Sequence, residues 1–134
     1  MKLHTELGTH SYDITVERGC LSRAGEVLNL CRRVLIVTDT GVPAAYVQTV
    51  AAQCRTPVVV TVPAGEGSKS LAVLGQLLSR MLAEGFTRTD CVLALGGGVV
   101  GDLAGFAAAC FMRGIDFYNI PTTLLAQVDS SIGG

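Results

Sequence analysis

The sequence carries little charge and no concentration of charge of one sign. Of its 134 residues, 16% are Asp, Glu, Lys or Arg, and the formal net charge is −1. Proteins that bind nucleic acid usually show a basic patch or stripe, and none is visible, so we predict no nucleic-acid partner. Hydrophobic residues make up 49% of the chain, which argues against disorder and predicts one domain over residues 1–134.

Long uncharged hydrophobic segments are also missing. The first sixteen residues, MKLHTELGTHSYDITV, contain charges and no continuous apolar stretch, which is not the pattern of a signal peptide. The most apolar stretch of the chain is interrupted by Asp102 and is too short to cross a bilayer. We therefore predict no membrane partner.

Cysteine and histidine show no disulfide or metal-binding pattern. The chain has two histidines, His4 and His10, without metal-ligand spacing, so we predict no metal site within it. The cysteines are odd in number and form no C-x-x-C pair, which favours reduced, partly buried thiols in a cytoplasmic protein over a disulfide framework. These five cysteines are Cys20, Cys31, Cys54, Cys91 and Cys110.

Short apolar strands alternate with helical patterns along the chain. This alternation is typical of an α/β, Rossmann-like fold, in which a mainly parallel sheet has helices on both faces. The predicted strands are Tyr12–Val16, Arg33–Thr38, Pro57–Val62, Cys91–Leu95 and Phe117–Ile120. The predicted helices are Leu21–Leu30, Ala44–Cys54, a leucine-rich segment from Leu71 to Leu82, Val99–Phe111 and Thr122–Ser130.

Four loops are predicted to meet at the carboxyl ends of the strands, where parallel sheets bind their ligands. The carboxylate of Asp39 suits ribose hydroxyl groups, and the ammonium group of Lys69 suits a phosphate. Asp39 and Thr122 as helix caps and Lys69 as a solvated charge are the structural alternatives. The four loops are Asp39–Gly41, Pro63–Lys69, Gly96–Gly98 and Pro121–Thr123.

The glycine turn Gly96–Gly98 lies between a buried strand and an apolar, alanine-rich helix. Gly96, Gly98 and Gly101 fit the G-x-G-x-x-G spacing of phosphate-binding turns. Glycines let the backbone take a positive φ or approach a ligand closely, and the helix start offers unpaired N–H groups to an anion. Asp102, one turn into this helix, requires a polar partner or the helix dipole. A tight turn without a ligand is the alternative.

The order of these motifs differs from that of an ordinary dinucleotide-binding fold. There the glycine turn follows the first strand and an acidic residue comes about 20 residues later. Here Asp39 precedes the glycine turn. No G-x-x-x-x-G-K-[ST] loop is present, which excludes a P-loop nucleotide hydrolase on pattern.

Four segments resemble the 3-dehydroquinate synthase family, and the resemblance is most specific from Gly96 onward. It implies an NAD-binding α/β domain, which in the family precedes a helical, metal-binding domain. The implied reaction is a lyase-type cyclisation of 3-deoxy-D-arabino-heptulosonate 7-phosphate with loss of phosphate, in the shikimate pathway to aromatic amino acids. It uses NAD and a divalent metal, zinc or cobalt. The segments are Gly65–Lys69, Gly96–Ala109, Arg113–Ile115 and Ile120–Gly134.

The resemblance also implies site residues that spacing alone leaves undetermined. Arg113 and Asp129 match positions that contact substrate. Because Arg113 and Thr122 flank opposite ends of one strand, we predict that Arg113 binds the substrate phosphate across the interface of a homodimer. The positions that match NAD-binding residues are Asp39, Thr40, Gly41, Glu66, Gly67, Ser68, Lys69, Gly97, Gly98, Val99, Gly101, Asp102, Thr122 and Thr123.

In the family, a glutamate and two histidines that bind the metal follow the position of Gly134. We therefore expect this chain to be the cofactor domain, without a complete catalytic set, catalysis or a specific zinc site of its own. Three alternatives stay open: another sugar-phosphate cyclase of the valiolone or inosose type, an iron-dependent alcohol or glycerol dehydrogenase, which fits the motifs less well, and a non-catalytic nucleotide-binding module.

Overall fold

A computed structural model of the chain describes residues 1–132. Its strands are β1 (Lys2–Thr5), β2 (Tyr12–Thr15), β3 (Arg33–Asp39), β4 (Thr56–Val62), β5 (Cys91–Gly96) and β6 (Asp116–Pro121). Its helices are α1 (Ala24–Val27), α2 (Ala44–Ala51), α3 (Leu71–Ala83) and α4 (Gly98–Cys110). A π-helical segment, Ala126–Ser130, follows β6, and we call it the terminal turn. The resemblance noted above extends to Gly133 and Gly134, which lie outside the described residues.

Four strands form a parallel sheet in the order β4-β3-β5-β6, which confirms the predicted fold class. All six residues of β5 are buried, because β5 has a neighbour on each side and helices cover both faces of the sheet. β1 and β2 form a separate antiparallel ribbon.

Alternate side chains of β3 belong to two different hydrophobic cores. Leu35 and Val37 pack with α3 and α4 on one face of the sheet, whereas Val34 and Ile36 pack with α2 on the other. All four are fully buried, and each such side chain contributes about 1.5–3 kcal/mol to folding. The predicted helices on both faces are therefore confirmed.

Helix α3 follows the predicted leucine pattern. Its inward side chains, Leu74, Leu77 and Met81, are buried against the sheet. The Ser70 hydroxyl caps the start of the helix by accepting a hydrogen bond from the Val73 N–H at 3.2 Å. Gly85, with φ +73, stops the chain from continuing the helix.

The predicted helix Leu21–Leu30 is shorter and less regular than expected, because only Leu21–Val27 is helical and only its last four residues are α-helical. A 3₁₀ turn, Cys20–Arg23, leads into the single turn of α1, and the backbone is extended at Leu28. The Gln53 side chain accounts for this difference, because it accepts a hydrogen bond from the Gly25 N–H and donates one to the Leu21 carbonyl. These backbone groups are thus satisfied by α2's C-terminal flank instead of by a longer helix.

All five cysteines are free thiols, and they differ in exposure. Burial raises the pKa of Cys54 and of Cys91 to about 11, whereas Cys31 and Cys110 are exposed. Near pH 8, only about one in a thousand thiols with a pKa of about 11 is ionised. We expect Ellman's reagent to label Cys31 and Cys110 in a fast phase, and Cys54 and Cys91 only on unfolding. A Cys31→Ser/Cys110→Ser variant that keeps the full fast phase would contradict this assignment.

Candidate functional site

The four predicted loops lie side by side at the carboxyl ends of the parallel strands. Thr40 joins the loops after β3 and β4, since its N–H donates to the Val62 carbonyl at 3.1 Å and its hydroxyl accepts from the Ala64 N–H at 3.0 Å. The Thr122 N–H donates to the Gly96 carbonyl at 2.9 Å and joins the ends of β5 and β6. We call this edge, formed by the four loops, the rim.

Lys69 and Asp102 form an ion pair across the rim. Lys69 Nζ lies 2.7 Å from Asp102 Oδ2, and each side chain is about half exposed (48% and 45%). The hydrogen bond that Lys69 donates to Asp102 raises the pKa of Lys69. This ion pair stabilises the Asp102 carboxylate within an otherwise apolar helix. It also holds the Lys69 ammonium group over the first turn of α4.

The N-terminus of α4 has no side-chain cap. Its N-cap residue is Gly97, and the first helical hydrogen bond runs from the Gly101 N–H to the Gly97 carbonyl at 3.1 Å. The N–H groups of Gly98, Val99 and Val100 precede that bond and have no acceptor within the helix. Together with the positive end of the helix dipole and the nearby Lys69, they form an arrangement suited to an anion.

The glycine turn does not use the left-handed backbone that glycine permits. Gly96, Gly97, Gly98 and Gly101 all lack a positive φ. Gly97 is extended, with φ −81 and ψ −164, a conformation that other residues also adopt.

Packing against the protein itself leaves no room for a Cβ atom at Gly96 and little room for one at Gly98. A Cβ atom on Gly96 would lie 2.8 Å from Cγ2 of the buried Val100, and one on Gly98 would lie 3.1 Å from Oγ of Ser130. The second contact means that the terminal turn lies against the start of α4.

The loops after β3 and β4 are held in shape by their own side chains. The Asp39 carboxylate accepts a hydrogen bond from the Gly41 N–H at 2.8 Å, which fixes the turn after β3. The Ser68 hydroxyl is buried and donates to the Pro63 carbonyl, so it is already used inside the loop. Glu66 and Gly67 are exposed in the 3₁₀ turn between them.

An open groove of about 370 Å³ continues the rim toward α2. Asp39 and Thr40 form one wall, and Ala44, Val47 and Gln48 of α2 form part of the other. Its size and mainly apolar lining suit a flat organic group more than a phosphate.

The two predicted substrate residues lie at opposite ends of the sheet. Asp129 is exposed in the terminal turn, next to Ser130 and therefore at the rim. Arg113 lies in the turn before β6, whereas Thr122 follows β6, so the structure does not bring Arg113 to its own rim. Arg113 (φ +66) and Met112 (φ +49) are the non-glycine residues of the described part with a left-handed backbone, which costs about 1–3 kcal/mol each.

The sequence pattern missed two residues at the rim that the structure brings together. Asn119, near the end of β6, donates a hydrogen bond from Nδ2 to Ser131 Oγ at 3.0 Å. Its side chain also packs on Gly101 of α4, at 3.4 Å from where a Cβ atom would lie. Asparagine is depleted in strands, so an asparagine at this position was the available signal.

No three His, Cys, Asp or Glu side chains of residues 1–132 are close enough together to hold a metal ion. The same residues form no helix of sufficient length and apolar character to span a membrane. The rim instead offers hydroxyl, backbone N–H and ammonium groups as hydrogen-bond donors and carboxylates as acceptors, which together suit a phosphorylated organic ligand.

Residues 59–134 match the protein family described as 3-dehydroquinate synthase N-terminal. The chain belongs to this family. The resemblance stated from the motifs is thereby confirmed. A 3-dehydroquinate synthase from Paracoccus denitrificans is 49% identical over 139 residues, which cover 98% of this chain and 38% of that protein. The chain thus spans about two fifths of the length of the curated relatives it matches.

Two solved structures of sugar-phosphate cyclases share the fold of this 3-dehydroquinate synthase family member. A 2-deoxy-scyllo-inosose synthase in complex with carbaglucose-6-phosphate, NAD⁺ and Co²⁺ superposes with a TM-score of 0.89 at 26% identity, over 97% of this chain and 37% of that one. The 2-epi-5-epi-valiolone synthase ValA from Streptomyces hygroscopicus subsp. jinggangensis, with NAD⁺ and Zn²⁺ bound, gives 0.80 at 32% identity, over 96% and 37%.

Proposed function

We propose that this chain is the NAD-binding domain of a 3-dehydroquinate synthase, a lyase that cyclises 3-deoxy-D-arabino-heptulosonate 7-phosphate with loss of phosphate. The observation that carries the NAD assignment is the uncapped N-terminus of α4 beneath Lys69. The substrate assignment is supported by the relatives, because 3-dehydroquinate synthases are 45–51% identical to this chain, whereas the inosose and valiolone synthases are 26% and 32% identical.

Different residues of the rim are assigned to the diphosphate and to the ribose groups of the dinucleotide. The N–H groups of Gly98 and Val99 hold the diphosphate, and Lys69 offsets its charge. The carboxylates of Asp39 and Glu66 accept hydrogen bonds from ribose hydroxyl groups. When bound, NAD supplies reversible hydride transfer, and the protein supplies binding, orientation and exclusion of water. The remaining residues of the proposed set are Thr40, Gly41, Gly67, Ser68, Gly97, Gly101, Asp102, Thr122 and Thr123.

Residues 1–132 contain no cluster of ligands that would fit the Co²⁺ or Zn²⁺ ion of the two solved cyclase structures. We therefore propose that this chain contributes no metal ligand. Its free thiols suit a reducing compartment, so we place the protein in the cytoplasm.

Calorimetric titration of NAD⁺ into the 134-residue chain tests the cofactor assignment. Saturable one-to-one binding is expected. For the substrate, we would join this chain to the C-terminal part of the Paracoccus denitrificans relative and assay phosphate release. Release from the heptulosonate phosphate, and none from glucose 6-phosphate, is the expected result; the reverse preference would favour an inosose-type cyclase.

Replacement of Lys69 by methionine is expected to weaken NAD⁺ binding on the order of tenfold, because the diphosphate loses its cationic partner. The melting temperature should change little, since exposed ion pairs contribute little to stability. Lys2→Met is the matched control, because Lys2 also pairs with an exposed aspartate, Asp13, at 2.9 Å but lies in the β1–β2 ribbon. Equal affinities of the two variants for NAD⁺ would remove Lys69 from the site.

Arg113 is proposed to bind the substrate phosphate in the site of a second copy, within a homodimer. Its left-handed backbone supports a functional role, and its distance from its own rim supports the cross-subunit arrangement. In the joined enzyme, Arg113→Lys should lower kcat/KM by about tenfold or more and leave NAD⁺ binding unchanged, because lysine lacks the bidentate fork.

Mixing two impaired variants distinguishes the cross-subunit arrangement from a local one. A mixed dimer of Arg113→Lys and Asp129→Asn subunits contains one site with both native residues only if Arg113 acts on the partner's site. Activity should therefore return on mixing. Two variants that are each impaired but show no recovery after subunit exchange would contradict the arrangement.

A further inference from the structure

The hydroxyl group of Ser130 lies at the start of α4. Its Oγ atom is 3.1 Å, and its Cβ atom 3.5 Å, from the position that a Cβ atom on Gly98 would occupy. Gly98 is the first residue of α4 and one of the residues proposed to hold the diphosphate. Ser130 is exposed, and the side-chain hydrogen bonds of the terminal turn within residues 1–132 involve Thr123, Gln127 and Ser131 but not Ser130.

The residues on either side hold Ser130 in this position. At one end of the terminal turn, the Thr123 hydroxyl accepts a hydrogen bond from the Ala126 N–H at 3.1 Å. At the other end, Ser131 Oγ accepts a hydrogen bond from Asn119 Nδ2 at 3.0 Å, and the Asn119 side chain packs against Gly101 of α4. The helical geometry is widened here, with the Ser131 N–H bonded to the Ala126 carbonyl, and such π-segments are frequent at functional sites.

We propose that Ser130 is a further ligand of the dinucleotide's diphosphate, and that the Asn119–Ser131 hydrogen bond positions it. This inference rests on the proposed function. A serine hydroxyl can donate to a phosphate oxygen while the helix N–H groups bind the same anion. Within residues 1–132, the Ser130 hydroxyl takes part in no side-chain hydrogen bond, and it has the exposure and the proximity to Gly98 that this role needs. Ser131 Oγ instead accepts the hydrogen bond from Asn119 that holds the turn.

The test compares Ser130→Ala with the parent chain by calorimetric titration of NAD⁺, ADP and adenosine. We expect roughly 5- to 20-fold weaker binding of NAD⁺ and ADP, an unchanged response to adenosine, which lacks phosphate, and an unchanged melting temperature. Ser130→Thr keeps the hydroxyl and should restore most of the affinity. Ser79→Ala, an exposed serine of α3, is the matched control and should bind like the parent.

Asn119→Ala and Ser131→Ala should each weaken NAD⁺ binding by a smaller factor of about two to five, and the double variant should be no worse than either alone. Loss of affinity for adenosine in these variants would indicate a general disruption and overturn the positioning role.

The outcomes separate this inference from the proposed function. If the Ser130→Ala variant binds NAD⁺ and ADP at least as tightly as the parent, the serine only packs on Gly98. The NAD assignment would then still stand. A parent chain that binds ADP but not NAD⁺ would contradict the proposed function, and the comparison at Ser130 would then be made with ADP. A parent that binds neither would overturn both.

Discussion

A Gly96→Ala variant is expected to lose about 1–3 kcal/mol of unfolding free energy, the usual cost of forcing a methyl group into a well-packed core. The added Cβ atom would lie 2.8 Å from Cγ2 and 2.9 Å from Cβ of Val100. Val100 is fully buried and branched at Cβ, so it cannot rotate away without disturbing α4. The Gly96 carbonyl also holds the Thr122 N–H, so a shift of the backbone would reach the next loop.

Gly97→Ala is the control for this experiment. A Cβ atom on Gly97 would make an ordinary contact at 3.6 Å with Cγ2 of Thr123, and its φ of −81 is accessible to alanine. Because the chain contains no tryptophan, urea unfolding is best followed by far-UV circular dichroism. Gly96→Ala should lower the midpoint of unfolding, and Gly97→Ala should leave it nearly unchanged. Equal midpoints for the two variants would show that Val100 yields to the added methyl group.

The same geometry changes the interpretation of Gly98. From the motif alone, a bulky residue at Gly98 is expected to fill the space that a phosphate needs. In the structure, that space is bordered by Ser130, so Gly98→Val would first displace the terminal turn. Weaker NAD⁺ binding by that variant would therefore reflect a moved turn as much as a blocked phosphate.

The central sheet could be predicted because its strands are continuous apolar segments bounded by glycine, proline and charge. Cys91–Leu95 was predicted as a strand and is the buried centre of the sheet, differing only by one residue at its end. The β1–β2 ribbon was recognised in part: β2 was predicted, but its partner β1, with three of four residues exposed, has no apolar alternation from which to infer it.

The position of the rim could be predicted from the sequence, but the side-chain contacts within it could not. Parallel topology brings the carboxyl ends of β3, β4, β5 and β6 to one edge, so four loops with polar residues had to meet there. Which side chain holds which loop depends on side-chain geometry that no spacing rule contains. The Lys69–Asp102 pair joins residues 33 positions apart, and the Asn119–Ser131 bond joins a strand to a turn.

Arg32 is the clearest structural residue that the sequence did not reveal. It immediately precedes β3, at the end of the sheet opposite the rim, and its side chain is only 11% exposed. Its guanidinium group donates to the Asn29 carbonyl at 2.9 Å, the Thr89 carbonyl at 3.1 Å, Asp116 Oδ2 at 2.7 Å and the Tyr118 hydroxyl at 3.0 Å. One side chain thus ties together the segments that precede β3 and β5 and the start of β6.

Replacing Arg32 by lysine is expected to lower the free energy of unfolding by about 1.5–3 kcal/mol, the range for hydrogen bonds that involve a charged group. An ammonium group has three donors and no planar fork, so it cannot reach carbonyls on two segments and the Tyr118 hydroxyl at once. The ion pair itself is a minor part of this effect, because Asp116 is 66% exposed and water screens its charge. Asp116→Asn should therefore cost much less than Arg32→Lys.

Arg33→Lys is the matched control, since Arg33 is the next residue and its side chain is exposed. Its effect on unfolding should stay within about 0.5 kcal/mol, as for most surface substitutions. Arg32 also fixes Asp116, three residues after Arg113, so the left-handed turn that presents Arg113 depends on it. Arg32→Lys should thus make this turn more susceptible to proteolysis than the rim. Equal stability of the two lysine variants would mean that the backbone carbonyls around Arg32 are satisfied without its guanidinium group.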